Sequence, residues 1–348
     1  MRALFKTATG KGNIELRETP IPIIKDGYVL IKVHTACVCG TDIHIKHDRF
    51  PNSPPVILGH EFSGVIEQTG TDVKSLKKGD RVVSANNPFA CGKCDICIAG
   101  NPNLCPSKRA MGIHSDGCFA DYVILPANLI HLIPENVSLE EAALMEPLAV
   151  ATHAVANRCG IKKGDIVVVF GPGAIGLFAA QVALAENAGE VLLVGTNKDE
   201  QVRFEAAREL GIKTLNVEKE DLAEEVTKIS KNRGADVVIE ASGSPIAIKQ
   251  GIGLLKRTGR MAISGITGKP DISINWDSLV SRGATLYFCY SSTNADWQKG
   301  LQYLADKKVR TLPLITHRFK LEQWQKAFDV LENLEAIRPV LKICTENE

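Results

Sequence analysis

The sequence carries no surplus of charge of either sign: 41 lysines and arginines stand against 40 aspartates and glutamates, a net +1. Such a balance produces no field that would gather nucleic acid or an anionic membrane surface, so neither is an expected partner. Also missing are Pro-, Gly- or Ser-rich tracts long enough to stay disordered, and any internal repeat of roughly 20 to 50 residues. The opening residues, MRALFKTATGKGNIELRE, hold no apolar core of signal-peptide length, which leads us to expect a soluble cytoplasmic protein. Ile166 to Ala185 is uncharged and has the ~20 residues that span a bilayer. Gly171, Pro172 and Gly173 interrupt it, and a buried strand, a tight turn and a helix explain it better.

What is present suggests two domains or three, since 348 residues exceed the roughly 100 to 200 of one domain. Up to residue 150, short β-rich runs are broken by turn residues: Tyr28 to His34, Gly64 to Gln68, Arg81 to Ser84 and Ala120 to Leu125. This spacing predicts a small β barrel or sandwich whose long connections carry most of the Cys and His residues. Beyond residue 150, buried strands at Ile166 to Phe170, Val191 to Val194, Asp236 to Glu240 and Arg260 to Ser264 alternate with amphipathic helices. That rhythm predicts the α/β class, a doubly wound parallel sheet covered on both faces. The C-terminal stretch reads as helices around Ala295 to Asp306 and Leu321 to Asn333 and a final apolar run, Arg338 to Cys344, which we assign back to the first domain.

Ten cysteines are more than packing needs, and they are not spread like a disulfide framework. Four of them, Cys91, Cys94, Cys97 and Cys105, lie in CGKCDICIAGNPNLC. Four thiolates on such a Gly-, Asn- and Pro-containing loop can close a tetrahedron around one zinc and leave no place for a substrate. Cys105-Pro106 echoes an iron-sulfur motif, but the last gap of seven residues is too wide for the bacterial ferredoxin spacing.

A second set lies upstream: Cys39 in CGTDIH, then His60 and Glu61 in GHEFSG. Singly, each has a bland reading as a core thiol or a satisfied polar residue. Together they offer thiolate, imidazole and carboxylate beside glycines that permit close approach, a set suited to a catalytic metal with an exchangeable position. Asp42 is the candidate acceptor for the second ring proton of His60.

The third signal is VVVFGPGAIGLFAAQVA, where Gly171, Gly173 and Gly176 form G-x-G-x-x-G between a strand and a helix. The turn brings backbone N–H groups and a helix N-terminus to a pyrophosphate, so a dinucleotide is expected here. Ala174 and Ile175 inside the turn, and Ser264, Gly265 and Ile266 at the end of the strand beginning at Arg260, complete the expected cofactor contacts. The second strand ends in VLLVGTNKDEQVRF. A carboxylate at its tip would bind the ribose 2'-OH of NAD, but Thr196 and Asn197 stand there, followed by Lys198 and Arg203, with Asp199 two residues late. This favours NADP, or use of both cofactors, over strict NAD.

CGTDIH, GHEFSG, the four-cysteine loop, EPLAV and GPGAIG occur in the order seen in zinc-containing medium-chain dehydrogenases, and the resemblance covers essentially the whole chain. It implies a GroES-like catalytic domain over 1–150 and 288–348, with a structural zinc lobe near 88–108, and a Rossmann domain inserted over 151–287. It further implies two zinc ions per chain, the catalytic one on Cys39, His60 and Glu61 with Glu146 of EPLAV in or beside its shell. Thr41 and His44 match the family's proton relay, and the family suggests a homodimer or homotetramer. EPLAVATHA resembles polyol and polyol-phosphate dehydrogenases, whereas ACVCGTDIHI, GCFADYVI and ITHRFKLEQWQKAFD also resemble L-threonine 3-dehydrogenases. Cys289 and Ile45 replace the arginine and tyrosine usual in sorbitol dehydrogenases, so phosphates of the arabitol or galactitol kind stay open. Lys46, His47 and Arg49 read as a solvated basic loop or as a contact for such a phosphate. The rival class is a catalytically silent zinc- and nucleotide-binding protein with the same fold.

Overall fold

The structure, a computed structural model, describes residues 1–87 and 89–344. Pro88, inside the predicted zinc lobe, and the last four residues of the predicted catalytic domain lie outside the described residues. Contacts divide the chain into two compact units, one of Met1–Glu146, Thr293–Ala305 and Leu314–Glu348, the other of Pro147–Ser292 and Asp306–Pro313.

The first unit is built largely of short strands. In chain order they are β1 (Arg2–Lys6), β2 (Ile14–Glu18), β3 (Tyr28–Cys37), β4 (Val56–Ile57), β5 (Phe62–Thr69), β6 (Arg81–Ser84), β7 (Tyr122–Pro126) and β8 (Ile130–Leu132). Short helices α1 (Gly40–Lys46), α2 (Asp95–Ile98) and α3 (Leu139–Ala142) lie in the connections. β1 pairs with β2 and β4, while β3 pairs antiparallel with β5 and β7. Ile31, Val33, Leu58, Phe62, Ile66, Phe119 and Leu125 fill the interior. The β3–β5 register sets Ala36 opposite Phe62, and the Cys37 N–H donates to the Glu61 carbonyl at 2.9 Å. The end of β3 therefore delivers Cys39 beside His60 and Glu61, which precede β5.

The boundary with the second unit falls inside α4 (Met145–Thr152). There β9 (Ile166–Phe170), β10 (Glu190–Gly195), β11 (Lys213–Asn216), β12 (Ala235–Glu240), β13 (Leu255–Ile263) and β14 (Thr285–Phe288) alternate with α5 (Ala174–Ala185), α6 (Arg203–Glu209), α7 (Leu222–Ile229), α8 (Pro245–Leu254) and α9 (Trp276–Arg282). The strand order is β11-β10-β9-β12-β13-β14, and every pair is parallel. This is the doubly wound order whose ligands sit at the carboxyl ends of the strands. The uncharged run from Ile166 is β9, the glycine turn and α5. No helix among the described residues is long and apolar enough to cross a membrane.

The C-terminal stretch forms α10 (Asn294–Ala305), β15 (Ile315–Lys320), α11 (Trp324–Glu332) and β16 (Arg338–Lys342). β16 joins the first unit's sheet, pairing antiparallel with β3 so that Val340 faces Cys37. The predicted boundaries need correction. Pro147 to Val150 and 288–292 belong to the second unit, where the Cys289 N–H extends the sheet by donating to Ile263 O at 2.8 Å. Residues 306–313 do as well: Gln181 of α5 accepts from the Arg310 N–H at 2.8 Å and Arg310 Nη2 donates to Glu209 Oε1 at 2.9 Å. Hydrophobic pattern does not reveal which body a short polar connection is tied to.

His131 on β8 stacks on Trp297 of α10, ring centroids 5.5 Å apart, and burial pulls its pKa from the ordinary 6.5 down to about 4. The unfolded chain binds this proton first as pH falls. The stabilisation is therefore complete above pH 6.5 and lost progressively down to about pH 4, by at most about 3 kcal/mol. His131→Phe should flatten the decline of melting temperature between pH 6.5 and 4.5; a decline as steep as that of the parent would exclude the histidine as its source.

Candidate active site

Ligand atoms of Cys39, His60 and Glu61 lie within 4.8 Å of one another. Cys39 caps the N-terminus of α1, and Asp42 one turn on accepts the Cys39 N–H at 2.8 Å. His60 Nε2 is 3.7 Å from Glu61 Oε1, while its Nδ1 faces Asp42 Oδ1 at 3.8 Å. Glu61 is fully buried, yet neither of its carboxylate oxygens has a hydrogen bond among the described residues. Buried carboxylates left this way are costly unless a cation meets them.

The electrostatics point the same way. Cys39, Asp42, Glu61 and Glu146 are met by His60 and by the buried Arg338, whose Nη1 is 3.3 Å from Glu61 Oε1, with Lys108 adding its positive field at Glu146. Burial pushes the carboxyls of Glu61 and Glu146 up and that of Asp42 to about 6. Burial alone would raise the Cys39 thiol too, but Arg338 and His60 hold it well below the usual thiol range. A pocket with this deficit of positive charge fits a divalent cation, and the thiolate selects zinc.

Cys91, Cys94, Cys97 and Cys105 also bring their sulfurs within 4.8 Å of one another. The Cys91 and Cys97 sulfurs are 3.9 Å apart, against about 3.8 Å for two thiolates on one tetrahedral zinc. The backbone N–H groups of Cys91, Cys94 and Cys97 each donate to a cysteine sulfur at 3.4 Å, which suits a charged thiolate set. All ten cysteines are free.

The glycine turn divides three tasks. Gly171 adopts φ +92°, which makes the sharp exit from β9. A Cβ on Gly173 would meet nothing within 4 Å, leaving the backbone open to a close ligand, whereas one on Gly176 would stand 1.9 Å from the Gly171 carbonyl oxygen. No side chain caps α5 at Gly173, so the first N–H groups of this twelve-residue helix are available to a phosphate. Ala174 is buried and Ile175 half-buried in its first turn.

Residues 25–135 match the alcohol dehydrogenase GroES-like domain, and residues 174–306 match the zinc-binding dehydrogenase family. A sorbitol dehydrogenase from Halalkalibacterium halodurans is 41% identical over 342 residues, covering 98% of this chain and 99% of that one. The chain belongs to the zinc-containing medium-chain dehydrogenases. A D-arabitol-phosphate dehydrogenase from Enterococcus avium is 34% identical, with 96% of each chain covered. A zinc-binding dehydrogenase from Sinorhizobium meliloti 1021, solved bound to NADP, superposes with a TM-score of 0.90 at 30% identity, covering 98% of this chain and 99% of that one. The protein is thus a zinc-dependent, NAD(P)-linked oxidoreductase acting on an alcohol, which removes the silent binding protein as an alternative.

Several residues of this dehydrogenase stand differently from the sequence expectation. Of the two places expected for Glu146, in the shell or beside it, the second applies: it is outside the close ligand group, and its Oε1 accepts from Asn86 Nδ2 at 2.6 Å. Asp42 is too far from His60 for a hydrogen bond, because its other oxygen is committed to the Cys39 N–H. Arg203 forms an ion pair with Asp199 at 2.7 Å, and the second Asp199 oxygen accepts the Thr196 N–H at 2.9 Å, so neither stands free at the β10 tip. The Asn197 N–H donates to Glu218 at 2.7 Å; Lys198 is exposed. Lys46 and His47 contact Glu332 of α11 at 2.9 and 2.5 Å and are not a free phosphate contact.

Thr41 Oγ1 lies 3.7 Å from Cys39 Sγ, and His44, three residues along α1, is exposed. The Ser264 and Gly265 N–H groups donate to the Glu240 carbonyl at 2.9 and 3.1 Å, and Ile266 is exposed. Arg338 and Asn86 escaped the sequence reading. The one available signal was an arginine opening the otherwise apolar run before Pro339.

Proposed function

We propose that this dehydrogenase oxidises a secondary hydroxyl of a polyol or polyol phosphate. The observation that carries the reading is the near full-length similarity to a sorbitol dehydrogenase, supported by Glu146 standing beside the three-residue ligand set. Cys39, His60 and Glu61 would hold the catalytic zinc, which supplies the Lewis acidity that makes an alcohol hydroxyl acidic near neutral pH. Glu146, held by Asn86, would flank the exchangeable position. Thr41 would accept the hydroxyl proton, and His44 would pass it to solvent. The bound nicotinamide supplies the acceptor for the hydride of the carbinol carbon.

Gly171, Gly173, Ala174, Ile175 and Gly176 would hold the pyrophosphate, and Ser264, Gly265 and Ile266 would line the cofactor farther along the sheet edge. Thr196 and Asn197 would meet the adenosine ribose. With Arg203 tied to Asp199, Lys198 is the residue left to meet a 2'-phosphate, and use of both cofactors follows. Lys198→Ala should raise KM for NADP on the order of tenfold, about one exposed ion pair with a dianion, and leave KM for NAD unchanged; equal effects on both would remove Lys198 from selection.

Ten free cysteines support a cytoplasmic location. The unpaired edge of β14, with Phe288 73% exposed, supports a homodimer or homotetramer. The deciding experiment is a panel of polyols, polyol phosphates and L-threonine with both cofactors. Faster turnover of L-threonine than of every polyol would replace this reading with a threonine 3-dehydrogenase.

A further inference from the structure

A group of cations in the second unit takes no part in this chemistry. Because all six strands are parallel, their N-terminal ends share one edge, roughly 17 Å from the glycine turn at about 3.3 Å per strand residue. Two clefts of about 760 and 520 Å³ open at that edge and share Gly253, Asn275, Ser278 and Arg282. Arg233, Lys256, Arg257 and Arg282 line the first, Lys249 lines the second, and Asp277 is the one lining carboxylate. Lys256 is paired with Asp236. Among the described residues, Lys249, Arg257 and Arg282 form no ion pair with a carboxylate, and Arg233 has only the field of Asp236, which Lys256 already pairs, so the groove keeps a surplus of about three positive charges.

The arginines are anchored rather than neutralised. Arg233 Nε donates to Ser230 O at 3.2 Å, Arg257 Nη1 to Ser281 O at 2.9 Å and Arg282 Nη1 to Gly253 O at 2.8 Å. Each bond fixes a guanidinium on a helix-terminal carbonyl and leaves Nη2 free, and Arg233 keeps both terminal nitrogens. Asn232 and Ser278 add neutral donors along the same walls. Preorganised forks set apart in one groove match an anion with several phosphate groups better than a single charge. The volume is that of a small-ligand site, about 300 to 1,000 Å³, while the chain's near-zero net charge does not suit a long polyanion.

We propose that this groove binds a small polyphosphate of the pyrophosphate or nucleoside-triphosphate class, at a site separate from the dinucleotide site. The test uses the zinc-loaded enzyme saturated with NADH, so that the dinucleotide site is filled, and titrates it calorimetrically with ATP, pyrophosphate and inorganic phosphate. ATP and pyrophosphate should each bind with one equivalent, and orthophosphate more weakly. Arg233→Gln/Arg257→Gln, both exposed positions, should weaken ATP at least about tenfold and reduce the salt slope by about two, with turnover and melting temperature unchanged. No binding to the NADH-saturated enzyme, or equal binding by the double variant, would overturn the proposal. So would an equal loss in Lys198→Ala, which would place the anion at the cofactor site. Orthophosphate binding as tightly as ATP would overturn the polyphosphate class, and an oligonucleotide binding more tightly than ATP would overturn the small-ligand assignment.

Discussion

His60→Ala is expected to lower kcat/KM on the order of 10³-fold, because a catalytic zinc supplies several kcal/mol of charge stabilisation and each 1.36 kcal/mol is a factor of ten. The variant should also keep one of the two ions that the separate ligand groups would hold. His60 supplies the imidazole of the close set, and its loss leaves Cys39 and the Glu61 carboxylate, whose oxygens accept no hydrogen bond among the described residues, with Arg338 as the counter-charge at Glu61. Metal analysis beside initial rates checks both parts. Unchanged zinc content with full turnover would mean that the metal sits elsewhere. Loss of both ions would mean that the two sites are not independent.

Cys97→Ser should act on stability and leave chemistry largely intact. Its sulfur is within reach of three other thiols and 3.9 Å from that of Cys91, so its replacement removes one of four ligands from a closed tetrahedral site. Structural zinc sites return their binding energy as folding energy, and a loss of at least about 4 kcal/mol is expected, roughly 10 °C in melting temperature for a chain of this size. Exposed Ile98 and Leu104 on the same lobe make aggregation the accompanying symptom. The fraction that stays folded should keep kcat within about threefold, a change of under 1 kcal/mol. Full stability with lost turnover would contradict a structural role.

The two metal groups were legible because each is written in short-range spacing: Cys91 to Cys105 is one loop, and His60-Glu61 is one dipeptide. The glycine turn was legible for the same reason, with strand, G-x-G-x-x-G and helix contiguous. Arg338 was not, since it lies 299 positions from Cys39 and reaches Glu61 only because β16 pairs antiparallel with β3. Nor was the hold of Asn86 on Glu146, the tether of Lys46 and His47 to Glu332, or the pairing of Arg203 with Asp199. In each, a charge or amide that looked available in the sequence is spent on a partner chosen by packing.

Residue types and local spacing by themselves determined the strand-rich first body, the parallel α/β second body, the two ligand groups and the dinucleotide turn, because periodicity, turn chemistry and ligand spacing are properties of neighbouring residues. Tertiary structure alone decided which polar groups remain free. It placed Glu146 outside the close ligand set, gave Glu61 a guanidinium neighbour, returned residues 306–313 to the second body and gathered Arg233, Lys249, Arg257 and Arg282 along one groove. The physical reason is that a charge's availability depends on its three-dimensional neighbours and burial, and long-range strand pairing sets both.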